Sequence, residues 1–161
     1  QRETWVTQLS VAERVPLALW QRGGRLALID REGVVIDRNR LGAWRHLPMV
    51  VGKDAPKHAE AMIEIMRAHP KLMDATHAMI RVSKRRWDLK FNNGVIARLP
   101  EKNAARAVLK LARLVTAERI LDRDIVMIDL RLADRLVVRT SPKAKSLKKK
   151  RHAHRGPSKD T

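Results

Sequence analysis

"RRWDLKFNNGVIARLPE", Arg85 to Glu101, holds two alternating apolar and polar runs around Asn92-Asn93-Gly94. Period-two alternation around such a turn predicts a β-hairpin, and its register decides what each face of the sheet is made of. A two-residue turn at Asn93-Gly94 sets Leu89 against Arg98 and mixes apolar groups with charge on both surfaces. A three-residue loop, a type I turn closed by Gly94 in the left-handed region, opposes Phe91 to Val95, Leu89 to Ala97 and Trp87 to Leu99. One face is then wholly apolar. The other sets Asp88 against Arg98, a cross-strand contact of about 0.2–1 kcal/mol that helps pin the alignment. The sheet has a buried side and a wet, charged side.

Working outward, the same patterning recurs. "PLALWQ", "LALID" and "VVID" suggest a three-stranded meander over residues 16 to 37, with "QRGGR" and "REG" as turns. "RNRLGAWRHLPMVVGKD" reads mostly as loop, with a short apolar run at Met49 to Val51. Asp54 is placed to cap a helix whose first turn includes Pro56 and whose inner face is Ala59, Met62, Ile63 and Met66. Pro70 ends or kinks it. "AMIRV" precedes the opening hairpin, and a second helix starts near Asn103 with Val108, Leu111, Ala112 and Val115 inward. "DIVMIDLRLADRLVVRT" reads as two further strands; aligning Leu130 with Val138 and Leu132 with Leu136 sets Asp129 opposite Arg139. The expected fold class is α+β: a largely antiparallel sheet with two amphipathic helices on its apolar face and a disordered basic tail over residues 142–161.

Charge narrows the partners. The 161 residues carry a net charge of +18, and the last nineteen hold eight basic side chains against Asp160, so both body and tail are basic. That field favours nucleic acid, acidic lipid or an acidic protein surface. Cysteine is absent, so no disulfide framework or thiolate metal site is expected. No run of about 18 apolar residues exists to cross a membrane, and the sequence opens at Gln1 without Met or a leader, so it reads as a fragment of a longer protein.

Catalytic patterns are missing. Gly23-Gly24 and "VGKD" lack the spacing of a phosphate loop and read as turns. His58 and His69 stand about 16 Å apart along a helix, too far to share a metal. Asp122, Asp124, Asp129 and Asp134 cluster in sequence as a metal nuclease would want, but they fall in loops, turns or opposite a base. Trp87 and Trp20 read as core; Trp44, among Arg38, Arg40 and Arg45, is the one with a surface reading. Outward hairpin positions are Asp88, Lys90, Ile96 and Arg98, without the stacking aromatics of a nucleic-acid platform. No enzyme activity and no cofactor is expected; a basic nucleic-acid-binding module remains the alternative function.

What is left is an edge. The last strand, Arg135 to Thr140, precedes Pro142 and a polar tail, so nothing in the sequence pairs beyond it. It reads either as a terminal edge protected by arginines or as an acceptor for another chain's strand, with Arg131, Arg135 and Arg139 selecting an acidic one.

"ERVPLALW", "RRWDLKFNNGV" and "IDLRLADRLVVR" as a set resemble the C-terminal β domain of the FtsQ/DivIB family of bacterial cell-division proteins, in its α-proteobacterial form, from about Leu9 to Arg139. The resemblance implies a single-span inner-membrane protein with a periplasmic POTRA domain, whose last strand is expected to end within residues 1–15, followed by the β domain at 16–141, acting at the division septum. It implies a non-enzymatic hub that recruits the FtsB/FtsL pair by strand addition. By position, Leu136, Val137 and Val138 are the expected main-chain contacts, with Arg131 and Lys84 or Arg85 as charge contacts and Arg135 and Arg139 flanking. Leu132 stands where some relatives have Tyr, so an aromatic anchor is absent.

Overall fold

The structure, a computed structural model, describes residues 13–142. The expected end of a preceding domain and the basic tail fall almost wholly outside them. Along the described chain run β1 (Pro16–Arg22), β2 (Arg25–Asp30), β3 (Val35–Asp37), a 3-10 turn at Gly42–Trp44, β4 (Met49–Val51), α1 (Ala55–Arg67), α2 (Pro70–Ala75), β5 (Thr76–Val82), β6 (Arg86–Phe91), β7 (Ile96–Arg98), α3 (Ala104–Thr116), a 3-10 turn at Ile120–Asp122, β8 (Ile125–Asp129) and β9 (Val137–Thr140). All the strands join one sheet in the order β3-β2-β1-β4-β5-β6-β7-β8-β9. The class is α+β as expected. The β1/β4, β4/β5 and β7/β8 pairs are parallel and the rest antiparallel.

The opening hairpin takes the three-residue register. Leu89 faces Ala97 and Asp88 faces Arg98. Phe91 donates its N–H to the Val95 carbonyl at 2.9 Å, and Gly94 closes the turn onto Phe91 at 3.0 Å with φ 87°. Trp87, Leu89, Phe91, Val95, Ala97 and Leu99 are all buried in the core that the sheet shares with the helices. The loop itself is tied down: Asn92 Nδ2 donates to the Asp74 carbonyl and Asn93 Nδ2 to that of Leu121.

Helix α1 lies against β1 and β4, and α3 against α1 and α2. Ala59, Met62, Ile63 and Met66 face inward as their spacing predicts. Asp54 precedes α1 but makes no capping bond, because Pro56 removes one of the N–H groups that a cap would reach. Its Oδ2 lies instead 3.6 Å from His58 Nε2 and 3.7 Å from Arg81 Nε. In α3 the inner stripe is Ala107, Val108, Leu111, Ala112 and Leu114, with Val115 only half-buried. Six residues from Pro70 form the extra helix α2, so Pro70 begins an element as well as following one.

The last two strands do not take the expected register. Asp129 faces Val137, Ile128 faces Val138 and Met127 faces Arg139, two residues from the alignment read off the sequence. Asp129 does not oppose Arg139: it faces Val137 from the end of β8, and the connection between them is wider than the tight turn that the alternation suggests, with Arg131 inside it bonded to the Asp129 carboxylate. A bulge between Ile125 and Met127 pushes Val126 outward, where it is 44% exposed.

Trp20 packs against the core and donates Nε1 to the Gly52 carbonyl at 2.7 Å. Trp44 is half-buried, its ring 6.2 Å from that of His46.

Candidate functional site

Strand β9 closes the sheet on one side and has no neighbour beyond it among the described residues. Its main-chain direction follows from one bond: Ser141 donates its N–H to the Asp124 carbonyl at 3.2 Å. With a period of two, Arg139 and Val137 also point their N–H and C=O groups at β8, while Val138 and Thr140 point theirs away from the sheet. The next strand inward agrees, since Leu130 donates to the Arg98 carbonyl on the β7 side and leaves Asp129 facing β9. Of the three residues expected to offer main-chain groups, Val138 does so and Leu136 shares its phase. Val137 contributes its side chain.

Those side chains are uncovered. Leu136 is 37% exposed, Val137 47%, Val138 37% and Leu132 58%. Val126 on β8 is exposed as well. The opposite edge, β3, is three residues long and its ladder with β2 shifts register between Leu28 and Ile29, so it offers a shorter template.

Cations stand at one end of the sheet. Ser83 and Lys84 form the β5–β6 turn with φ 51° and 57°, and Arg85 donates its N–H to the Val82 carbonyl at 3.1 Å. This tight turn leaves Lys84 and Arg85 exposed. Because β6 leaves that turn antiparallel to β7, and β7 and β8 run parallel, the turn stands at the sheet end where β8 finishes and β9 begins. Lys84, Arg85, Arg131 and Arg135 are therefore brought to the same end. Arg139 sits further along β9, on the wet face in line with Met127, Ile96 and Lys90.

Arg131 is already engaged. Its Nη2 lies 2.7 Å and its Nε 3.1 Å from Asp129 Oδ2, while Oδ1 accepts both Nε and the Arg131 N–H at 3.0 Å. The Arg131 guanidinium, aided by its N–H and by the charge of Arg98, outweighs partial burial and holds the Asp129 carboxyl below the usual range. Reciprocally, Asp129 raises the Arg131 guanidinium. Sequence reading placed Arg131 in the site but missed this clamp. The signal is Asp-x-Arg, which puts both side chains on one side of an extended segment.

This edge offers main-chain pairing, apolar contact and cations. Among the described residues no three His, Asp or Glu side chains come close enough to share a metal. Nor is any described helix long and apolar enough to cross a membrane.

Comparison with known proteins agrees with the fold. The chain matches the family "Cell division protein FtsQ/DivIB, C-terminal" over residues 18–131, a segment that stops short of β9. It is 41% identical to the cell division protein FtsQ of Rhizobium meliloti (strain 1021) over 137 residues, covering 85% of this chain and 44% of that protein. It is 38% identical to FtsQ of Bradyrhizobium diazoefficiens over 136 residues, covering 84% of this chain and 40% of that protein. FtsQ of Caulobacter vibrioides (strain NA1000 / CB15N) is 38% identical over 131 residues, 81% of this chain and 43% of that protein. The chain thus spans less than half the length of these relatives. It belongs to the FtsQ/DivIB family of cell division proteins, matching its C-terminal domain.

Proposed function

We propose that this domain serves cell division without catalysis, as a docking module that accepts a strand of a partner protein on β9. The partner we favour is the FtsB/FtsL pair named by the family resemblance, met on the periplasmic side of the inner membrane at the septum by the membrane-anchored full-length protein. The observation that carries the reading is the outward main chain of Val138 and Thr140 on a strand with a single neighbour among the described residues. Strand addition uses such groups for affinity and the flanking side chains for specificity. Here Leu136, Val137 and Val138 supply the apolar contact, and Lys84, Arg85, Arg131, Arg135 and Arg139 favour an acidic strand.

Position within β9 gives the test. Val138→Pro removes an outward N–H and leaves the β8 ladder intact, whereas Val137→Pro removes a bond to β8. Capture of the purified FtsB/FtsL pair should fall at least tenfold with Val138→Pro while circular dichroism stays unchanged. Undiminished capture by a folded Val138→Pro variant rejects strand addition.

A further inference from the structure

We propose that Arg135 and Arg139 keep β9 from pairing with β9 of a second copy of this chain, and so reserve the edge for a partner of opposite charge. The inference rests on the reading of β9 as an open, pairing-competent edge. A bare strand carrying Leu136, Val137 and Val138 is a template for its own duplicate as much as for a foreign chain. Something has to disfavour the self-pair.

Register shows what does. Two copies related by a two-fold axis meet antiparallel, and only residues with outward main-chain groups, those in phase with Val138, form hydrogen-bonded pairs. In the most apolar alignment Leu136 faces the second copy's Val138, Val137 faces its own duplicate, and Val138 faces Leu136. That same alignment sets Arg135 against Arg139, and the two-fold axis repeats the clash at the other end. Both clashes fall at non-hydrogen-bonded positions, where opposed side chains approach most closely.

Sliding by one step either way avoids the clash but loses the apolar match. One neighbouring register puts Val137 against Arg139 and Leu136 against Thr140. The other puts Val137 against Arg135 and Val138 against Asp134. A slide further in the first direction opposes Arg139 to itself. An acidic strand from elsewhere meets none of these obstacles, because the same two arginines then attract it.

A charge swap tests the device without any partner protein, so its outcome is independent of the capture experiment. The whole 161-residue chain is measured by sedimentation velocity in about 0.15 M salt, where the Debye length of roughly 8 Å suppresses repulsion between distant charges. The unaltered chain should sediment as a monomer. Arg135→Glu turns both Arg–Arg contacts into Glu–Arg contacts and should tighten self-association on the order of thirtyfold, seen as a doubled mass. Arg139→Glu, which changes the other half of the same contacts, should do likewise. The double variant restores like charges and should return to monomer, as should Val138→Pro added to Arg135→Glu. Circular dichroism checks folding throughout. Monomeric single variants, an unaltered chain that already pairs through β9, or a dimer that survives Val138→Pro each overturn the proposal.

Discussion

Asp129, the last residue of β8, grips Arg131 two residues on, with both carboxylate oxygens within 3.1 Å of the guanidinium. This clamp sits where β8 ends and fixes where the cation stands. In the proposed strand addition, an acidic partner meets a guanidinium whose orientation is already decided. Less side-chain entropy is then lost on binding than with a free arginine.

Asp129→Asn should loosen that clamp and show it in the pH dependence of stability. The folded carboxyl titrates below its ordinary value, chiefly because of the Arg131 guanidinium. Its contribution is therefore present above the unfolded value near 3.9 and disappears as pH falls through the folded one. Arg131 is 43% exposed, so the loss at neutral pH should be about 1 kcal/mol or less. Urea unfolding of the two proteins should differ at pH 7 and converge as pH falls below the folded value of Asp129. Parallel curves across that range rule the clamp out as a stabilising pair.

A buried acid on β2 gives a larger effect. Asp30 is 5% exposed; its Oδ1 accepts the N–H groups of Glu32 and Val34 at 3.0 and 2.8 Å, and Oδ2 takes the Arg14 guanidinium. Burial pushes this carboxyl up, but Arg14 and the two N–H groups outweigh burial and hold it below its usual value. Asp30→Ala leaves the turn's donors unpaired and should cost about 2 kcal/mol at pH 7 in chemical denaturation. The deficit should shrink as pH falls through the folded value of Asp30, since the native protein loses the same bonds by protonation.

The β5–β6 turn should trade stability against binding. Ser83 and Lys84 both sit at positive φ, where Asn-Gly is preferred and other residues carry roughly 1 kcal/mol of strain each. Ser83→Asn with Lys84→Gly should raise the unfolding free energy by about 1 kcal/mol. It should also weaken capture of the FtsB/FtsL pair, because a cation at the loaded end of the sheet is lost. Stabilisation with unchanged capture removes Lys84 from the contact set.

How much of this was legible in the residues depends on how local the signal is. Gly94 announces its own left-handed turn, and the hairpin it closes has a single register that keeps Leu89 and Phe91 away from water; sequence suffices there. The last hairpin has no such glycine. Its strands are joined by a wide connection from Asp129 to Val137 in place of a tight turn, and Val126 bulges from β8, geometry that alternation does not encode. Helix α2 was invisible because "PKLMDA" is shorter than two turns and shows no period. Asp54 was a sound cap by type, but Pro56 left it little to cap and Arg81 offered a charge. At the edge, the exposure of Leu136 to Val138 follows from β9 having no neighbour beyond it among the described residues, whereas which amides face outward required the bond between Ser141 and Asp124.

That alternation gives β9 an isotopic signature. Amide protons of Arg139 and Val137, held by β8, should exchange with deuterium slowly, while those of Val138 and Thr140 should exchange at nearly the rate of open chain. Occupation of the edge should erase the contrast by slowing the fast pair alone. A two-residue rhythm in exchange rates, present in the free domain and silenced in a complex, reports who sits on the sheet's margin without any substitution.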